Sequence, residues 1–126
     1  MATLSLWEGQ PFKWGELDCC QLIALSVGAL TGTNLAEQFG EYSTEREALR
    51  MVAFHRSLRG LLEHALGYPN EAVAIGDPML LHYQGERWDT IGAVYCRPGC
   101  AFVVDREHGL MRQRFAACDV AAGWSF

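Results

Sequence analysis

The chain has 126 residues, of which half are hydrophobic and a fifth are charged, and its formal net charge is -5. This length and composition predict one globular domain over residues 1–126 and exclude a disordered chain. The acidic balance argues against nucleic acid as a partner, because phosphate binding requires a basic surface. The N-terminal residues resemble no secretory signal, and no apolar stretch reaches the roughly 18 residues that cross a bilayer. We therefore expect a protein that is made in a cytosol and does not insert into a membrane.

The first half of the chain predicts three helices. Asp18 and Gln21 form a pair like a capping box, and the apolar residues behind them recur at helical spacing until residues 31–34 end the helix. A loop follows through residue 42. Ser43 or Thr44 then starts a second helix, with Glu47 as its capping partner. The third helix is predicted over residues 56–66, where leucines recur on one face.

The second half of the chain predicts a meander of strands. Turn residues punctuate it, among them Pro98 and Gly99. Strands are predicted over residues 79–83, 91–96, 101–105 and 110–115, with a turn at residues 84–87. Helices followed by strands indicate an α+β domain with an antiparallel sheet of four to five strands. In this arrangement the first helix, which bears the cysteine, packs on the sheet. Two further helices are inserted between that helix and the strands in chain order.

Cys19 is the leading candidate for a chemical role. A thiol in the first turn of a helix meets unpaired backbone amides and the positive end of the helix dipole, and both favour the thiolate. Cysteine nucleophiles are commonly mounted in this way. The structural alternative is a small residue on an apolar helix face. Cys20 lies about 100° round the helix from Cys19 and is predicted to be a packing residue.

The segment Phe12-x-Trp14-Gly15-x-x-Asp18-Cys19, followed by an apolar helix, resembles the nucleophile segment of the NlpC-like cysteine peptidases. That resemblance implies a papain-like core and a family activity that cleaves the stem peptides of peptidoglycan. It also implies that Cys19 occupies the position of the nucleophile.

Later segments follow the order of the same family. Gly76-Asp77 resembles the pair that opens the first core strand, and residues 91–95 resemble the strand that follows the catalytic histidine. The layout is more closely similar to small phage-encoded relatives found beside tail-tip genes, through Thr31-Gly32, Gly40-x-Tyr42-Ser43 and Glu47-Ala48-Leu49-Arg50. This resemblance implies other tail-tip or hub proteins as partners, assembly in the host cytoplasm, a final location in the virion tail, and no cofactor.

The sequence departs from the family pattern at the catalytic base. In the peptidases a histidine stands two residues before the glycine of the second strand; here that glycine is Gly92 and the matching residue is Thr90. A threonine hydroxyl cannot take a proton from a thiol near neutral pH. The polar residue that orients the histidine would fall at Val103, Val104 or Asp105, and Asp105 is the candidate. We therefore expect a catalytically inactive relative that serves as a structural or assembly component of a tail tip.

An active enzyme is the alternative. In that case Cys19 would be the nucleophile of a tail peptidase or amidase that acts on peptidoglycan, with an unusual histidine as its base. His82, on a strand next to the usual histidine strand, is the first substitute, and His108 in a turn is the second. His55 and His64 belong to the inserted helices and are expected to be surface or structural residues.

The remaining cysteines and tryptophans give weaker signals. Cys96, Cys100 and Cys118 lack the spacing of zinc ligands, so we expect no metal. Cys96 and Cys100 flank a turn and are expected to be reduced, although an oxidising environment would allow a disulfide. Trp88 and Trp124 are either interface anchors or residues that pack on the sheet of the chain itself. A third functional class, a cytosolic binding module of unrelated role, also fits the composition.

Overall fold

The computed structural model describes residue 4 and residues 6–70, 73–83 and 89–126 of the chain. In this part of the chain, α-helices between residues 19 and 66 precede a five-stranded antiparallel sheet, which confirms the α+β prediction. The helices are α1 (Cys19–Thr31), α2 (Ala36–Phe39), α3 (Glu45–Phe54) and α4 (Leu58–Leu66). None of the helices described is both long and apolar enough to span a membrane.

Side-chain caps explain where α1 and α3 begin. The Asp18 carboxylate accepts the backbone N–H of Gln21 at 2.9 Å, and α1 ends where Gly32 turns left-handed at φ 77°. The Thr44 hydroxyl accepts the N–H of Glu47 at 3.2 Å and starts α3. The predicted starts of the first two helices are therefore confirmed.

Two helix boundaries differ from the prediction. The segment before residue 42, predicted as a loop, contains the one-turn helix α2. The third predicted helix begins at Leu58 rather than at Arg56, because Arg56 adopts a left-handed backbone with φ 72°. Ser57 is the residue that caps α4, and its hydroxyl accepts the N–H of Gly60 at 3.0 Å.

The sheet has the strand order β4-β3-β2-β1-β5. Its strands are β1 (Pro78–His82), β2 (Thr90–Arg97), β3 (Cys100–Asp105), β4 (Gly109–Arg114) and β5 (Val120–Gly123). The four predicted strands are confirmed to within one residue at each end, and β5 is the fifth. In the β1–β2 register, Leu80 pairs with Gly92 and His82 pairs with Thr90. The turn predicted at residues 84–87 lies outside the described residues.

The core lies on both faces of the sheet. One cluster joins the helices to the sheet, with Ile23, Val27, Leu61, Leu62, Leu80 and Trp124 among its buried members. A second lies beneath the start of α1 and contains Leu17, Leu22, Val94, Phe102 and Leu110. The third occupies the opposite face and contains Met79, Leu81, Ala93, Ala101 and Val103. Because residues alternate between the faces of a strand, these clusters assign each strand residue to the α1 face or to the opposite face.

Trp124 packs within its own fold. Its side chain is 1% exposed, and its indole Nε1 donates to the carbonyl oxygen of Gly67 at 2.8 Å. Of the two roles open to this residue, packing on its own sheet is therefore the observed one. Trp88, the other proposed interface anchor, lies outside the described residues.

Candidate functional site

The predicted position of Cys19 at a helix start is confirmed. Cys19 is the first residue of α1 and is partly exposed. Cys20 is buried in the cluster that joins the helices to the sheet, as predicted. The backbone of Asp18 is extended, with φ -138°, so the chain enters the helix at Cys19. The Cys19 thiol therefore lies among the free amides of the first turn, where the helix dipole favours an anion.

The Asp18 carboxylate connects three segments around this cysteine. Besides capping Gln21, it accepts the N–H of Gly15 at 2.8 Å and the phenolic O–H of Tyr42 at 2.7 Å. Asp18 is 1% exposed and Tyr42 is 8% exposed, so these bonds are shielded from water. The Gln21 amide Nε2 also donates to the Tyr42 oxygen, at 3.4 Å.

Gly15 is required by this arrangement. Its φ of +79° is left-handed, and a Cβ built there would lie 1.9 Å from the carbonyl oxygen of Tyr42. Tyr42 appears in the sequence only as part of Gly40-x-Tyr42-Ser43, and no local spacing links it to Asp18. It is therefore the residue of this site that the sequence reasoning did not assign.

The two thiols perturb each other. A hydrogen bond from Cys20 and, more weakly, one from the N–H of Gly92 lower the pKa of Cys19, against burial and the Asp18 charge, which raise it. The same thiol–thiol bond, together with burial, raises the pKa of Cys20 well above its usual range. Burial, followed by the nearby Cys20 and Asp18, raises the pKa of Tyr42 so far that its phenol stays protonated and acts as a donor.

Gly92 lets α1 lie against β2. A Cβ at this position would lie 2.7 Å from the carbonyl oxygen of Cys19 and 3.0 Å from Cγ1 of Ile23. The absence of a side chain therefore allows the Cys19 backbone to approach the strand closely. This contact also defines the α1 face of β2, to which Gly92 and Thr90 belong by alternation.

Thr90 and His82 lie opposite each other at the ends of β2 and β1. Leu80 belongs to the cluster that joins the helices to the sheet, so the alternation of side chains along β1 places His82 on the α1 face beside Thr90. The His82 side chain is exposed. The groups that shift the pKa of Cys19 are Cys20, Asp18 and backbone amides, and none is an imidazole. Among the described residues no hydrogen bond joins His82 to Cys19.

Asp105 and His108 form a separate pair at the turn between β3 and β4. The Asp105 carboxylate bonds Nδ1 of His108 at 2.8 Å and accepts the N–H groups of Glu107 and His108 at 2.9 Å each. These hydrogen bonds lower the pKa of Asp105, and the bond from the His108 backbone N–H contributes most. Val103 belongs to the core opposite α1, so alternation directs Asp105 away from Cys19 and Val104 toward the α1 face. The structure therefore does not bring Asp105 to the cysteine.

The turn between β3 and β4 contacts the loop that precedes Cys19. The Arg106 guanidinium lies 5.1 Å from the Trp14 ring centroid and 5.9 Å from that of Phe12, and it also bonds the carboxylate of Glu45. This contact holds the Trp14 loop against both the sheet and α3.

A cavity of about 960 Å³ opens beside the Asp18–Tyr42 pair. Trp14, Gln21 and Tyr42 line it, together with residues of the segments 13–16 and 34–47. Cys19 is not among its lining residues. This cavity therefore reaches the tyrosine that holds Asp18.

The other candidate ligands do not converge. Cys96, Cys100 and Cys118 are free thiols, and no group of three metal-binding side chains occurs among residues 4, 6–70, 73–83 and 89–126. The rings of His55 and His64 contact each other, with centroids 4.8 Å apart and planes tilted by 35°, at the ends of α3 and α4.

The fold and site together define an α+β protein whose partly exposed cysteine begins a helix packed on an antiparallel sheet. The chain belongs to the family described as "Domain of unknown function (DUF6950)", whose model matches residues 1–125. Neither the curated proteins nor the solved structures contain a significant match to it.

Proposed function

We propose that this chain is a structural or assembly component of a bacteriophage tail tip, built on a papain-like, NlpC-like fold without a working catalytic base. The Trp14–Cys19 segment and the order of the later elements resemble those of the NlpC-like cysteine peptidases, which supports descent from such an enzyme. The close approach of the Cys19 backbone to Gly92 is consistent with a fold of that type, in which the cysteine helix packs on the strand that carries the base. The partners would be other tail-tip or hub proteins, in the virion.

The observation that carries the loss of activity is Thr90 at the start of β2, on the face where α1 packs. A nucleophilic thiol needs a base within hydrogen-bond reach of its proton. The hydrogen bonds at Cys19 come instead from Cys20 and the Gly92 amide. Neither group can accept a proton and then deliver it to a leaving amine, so the site lacks the acid–base half of the peptidase mechanism.

A deletion of the gene in its phage or prophage, complemented with variants, tests this proposal. We expect the wild type and Cys19→Ala to restore the same titre of infectious particles, because assembly needs the fold and not the thiol. Deletion should leave particles with defective tails, visible by electron microscopy. Particles that assemble normally with Cys19→Ala but fail to infect would contradict the proposal and indicate an enzyme.

The alternative, an active peptidase or amidase of the tail that acts on peptidoglycan, is favoured by one observation. The register places His82 opposite Thr90 and on the α1 face, one strand away from the usual histidine. If His82 served as the base, His82→Ala would slow alkylation of Cys19 at pH 6, while Thr90→Ala would not. The proposal of an inactive fold predicts equal rates for the wild type and His82→Ala.

A further inference from the structure

The cavity beside the Asp18–Tyr42 pair has no part in the proposed function. Its volume of about 960 Å³ is near the upper end of the usual range for ligand sites in proteins. Residues of the segments 13–16 and 34–43 form its wall, together with Gln21 of α1 and Glu47 in the first turn of α3. A space of this size holds several residues of a bound chain rather than one side chain.

The charges that line this cavity are mostly of one sign. Four carboxylates and one ammonium group give it a formal excess of three negative charges, and they belong to Glu16, Glu37, Glu41, Glu47 and Lys13. A concave surface with charges of one sign concentrates the electrostatic field and attracts ligands of the opposite charge. Charge complementarity therefore requires a cationic occupant.

The four carboxylates differ in the partners they already have. Glu16 pairs with Lys13 at 3.1 Å, and Glu47 accepts hydrogen bonds from the residues that cap α3. Glu37 and Glu41 are exposed, and no hydrogen bond or ion pair joins either side chain to another residue that the structure describes. These two carboxylates are therefore the ones whose charge an occupant would neutralise.

The spread of the carboxylates favours several separate positive charges over one metal ion. A metal ion holds its oxygen ligands within about 2.6 Å, and no group of three metal-binding side chains occurs in the described part of the chain. Carboxylates on different segments instead match the separate ammonium and guanidinium groups of lysine and arginine side chains. The partly exposed Trp14 adds an aromatic surface, to which such groups also bind.

We propose that this cavity binds a segment of a partner protein that is rich in lysine and arginine. The volume accommodates several residues of such a segment, and Glu37 and Glu41 supply the charges that attract it. Binding requires neither the Cys19 thiol nor a place in a tail. It can therefore fail while the proposed function holds, and it can hold while the proposed function fails.

Fluorescence anisotropy of the full chain with a short fluorescein-labelled peptide of alternating lysine and serine tests the cavity. We expect binding at low salt that weakens as salt is added, because salt screens exposed charge pairs. The same peptide with glutamate in place of lysine should not bind. Glu37→Gln/Glu41→Gln should weaken binding of the lysine peptide about three- to tenfold, since exposed ion pairs each contribute modestly.

The matched control is Glu63→Gln/Asp119→Asn, which removes two carboxylates that do not line the cavity and should bind the lysine peptide as the wild type does. Circular dichroism checks that both double variants fold. Equal affinities of the two variants, or no binding by the wild type, would overturn the proposal.

Two further results would also overturn it by identifying another occupant. Spermidine that binds as tightly as the lysine peptide would show that the cavity takes a small cation. A dimer in analytical ultracentrifugation that is lost in Glu37→Gln/Glu41→Gln would show that it takes a second copy of this chain.

Discussion

Asp18 accepts hydrogen bonds from three partners, which are the N–H groups of Gly15 and Gln21 and the hydroxyl of Tyr42. A buried carboxylate is costly unless such donors compensate for its lost hydration. The Trp-Gly-x-x-Asp-Cys segment therefore has a structural role that does not involve catalysis. It forms a glycine turn and caps α1, and Cys19 is the first residue of that helix.

Tyr42→Phe should destabilise the protein by about 1.5–3 kcal/mol, because it removes a shielded hydrogen bond to a charged group. Urea denaturation measures the free energy of unfolding. Tyr83→Phe is the control, since the Tyr83 side chain is 48% exposed, and its cost should stay within about 0.5 kcal/mol. Equal costs for the two variants would show that the Tyr42 hydroxyl does not support Asp18.

Gly15→Ala should cost more than Gly9→Ala, although both glycines have left-handed φ values, +79° and +87°. Each substitution brings strain of about 1–2 kcal/mol. Only Gly15 would also place its Cβ against a backbone atom, the carbonyl oxygen of Tyr42, whereas nothing lies within 4 Å at Gly9. Thermal unfolding compares the two, and a Gly9→Ala cost as large as that of Gly15→Ala would contradict the close contact.

Alkylation of Cys19 should begin at a lower pH than that of a simple thiol. The Cys20 hydrogen bond lowers the pKa of Cys19, so its reactive thiolate appears sooner as the pH rises. Cys20→Ala removes that bond and should move the profile to higher pH. Rates measured with iodoacetamide and peptide mapping check this shift, and an unchanged profile would exclude the thiol–thiol bond as its cause.

Local spacing made part of this site predictable from the sequence. The Asp18 cap and the position of Cys19 follow from residues within one turn of each other. Tyr42 could not be found in this way, because it reaches Asp18 across 24 residues of chain. Its hydroxyl is placed by the path of α2 and the following loop, and no local pattern encodes that path.

At the scale of elements, the site depends on how closely α1 approaches β2. Gly92→Ala should destabilise the protein by about 1–3 kcal/mol, because its Cβ would meet the Cys19 carbonyl and the structure would have to shift. Gly28→Ala, in the last turn of α1, meets nothing closer than 3.7 Å and should stabilise the protein by up to about 1 kcal/mol. Chemical denaturation of both variants tests the contact, and a neutral Gly92→Ala would refute it.

The types of the longer elements and the antiparallel meander from β1 to β4 were predictable, whereas the place of β5 was not. Helical and strand periodicities and capping residues identified three helices and four strands. The helix α2 is a single turn and carries too few residues for a period. The pairing of β5 with β1 joins two segments that lie far apart along the chain. Such contacts arise from sheet topology, which the spacing of residues along one chain does not specify.

At the scale of the molecule, the protein has a helix that begins with a cysteine and packs on an antiparallel sheet. Packing on both faces of the sheet and the bonds of Asp18 stabilise that arrangement without any catalytic group. Under the proposed relationship to the NlpC-like peptidases, Thr90 occupies the position of the base, and Asp105 pairs with His108 in its own turn. The stability of the structure around Cys19 therefore does not depend on a catalytic role for its thiol.

Hydrolysis of peptidoglycan stem peptides by the purified protein, followed by mass spectrometry of the products, tests most directly whether the fold is catalytically inactive. If it is inactive, the wild type will release no more product than Cys19→Ala. Cleavage by the wild type that disappears in Cys19→Ala would show an active enzyme and contradict the proposal.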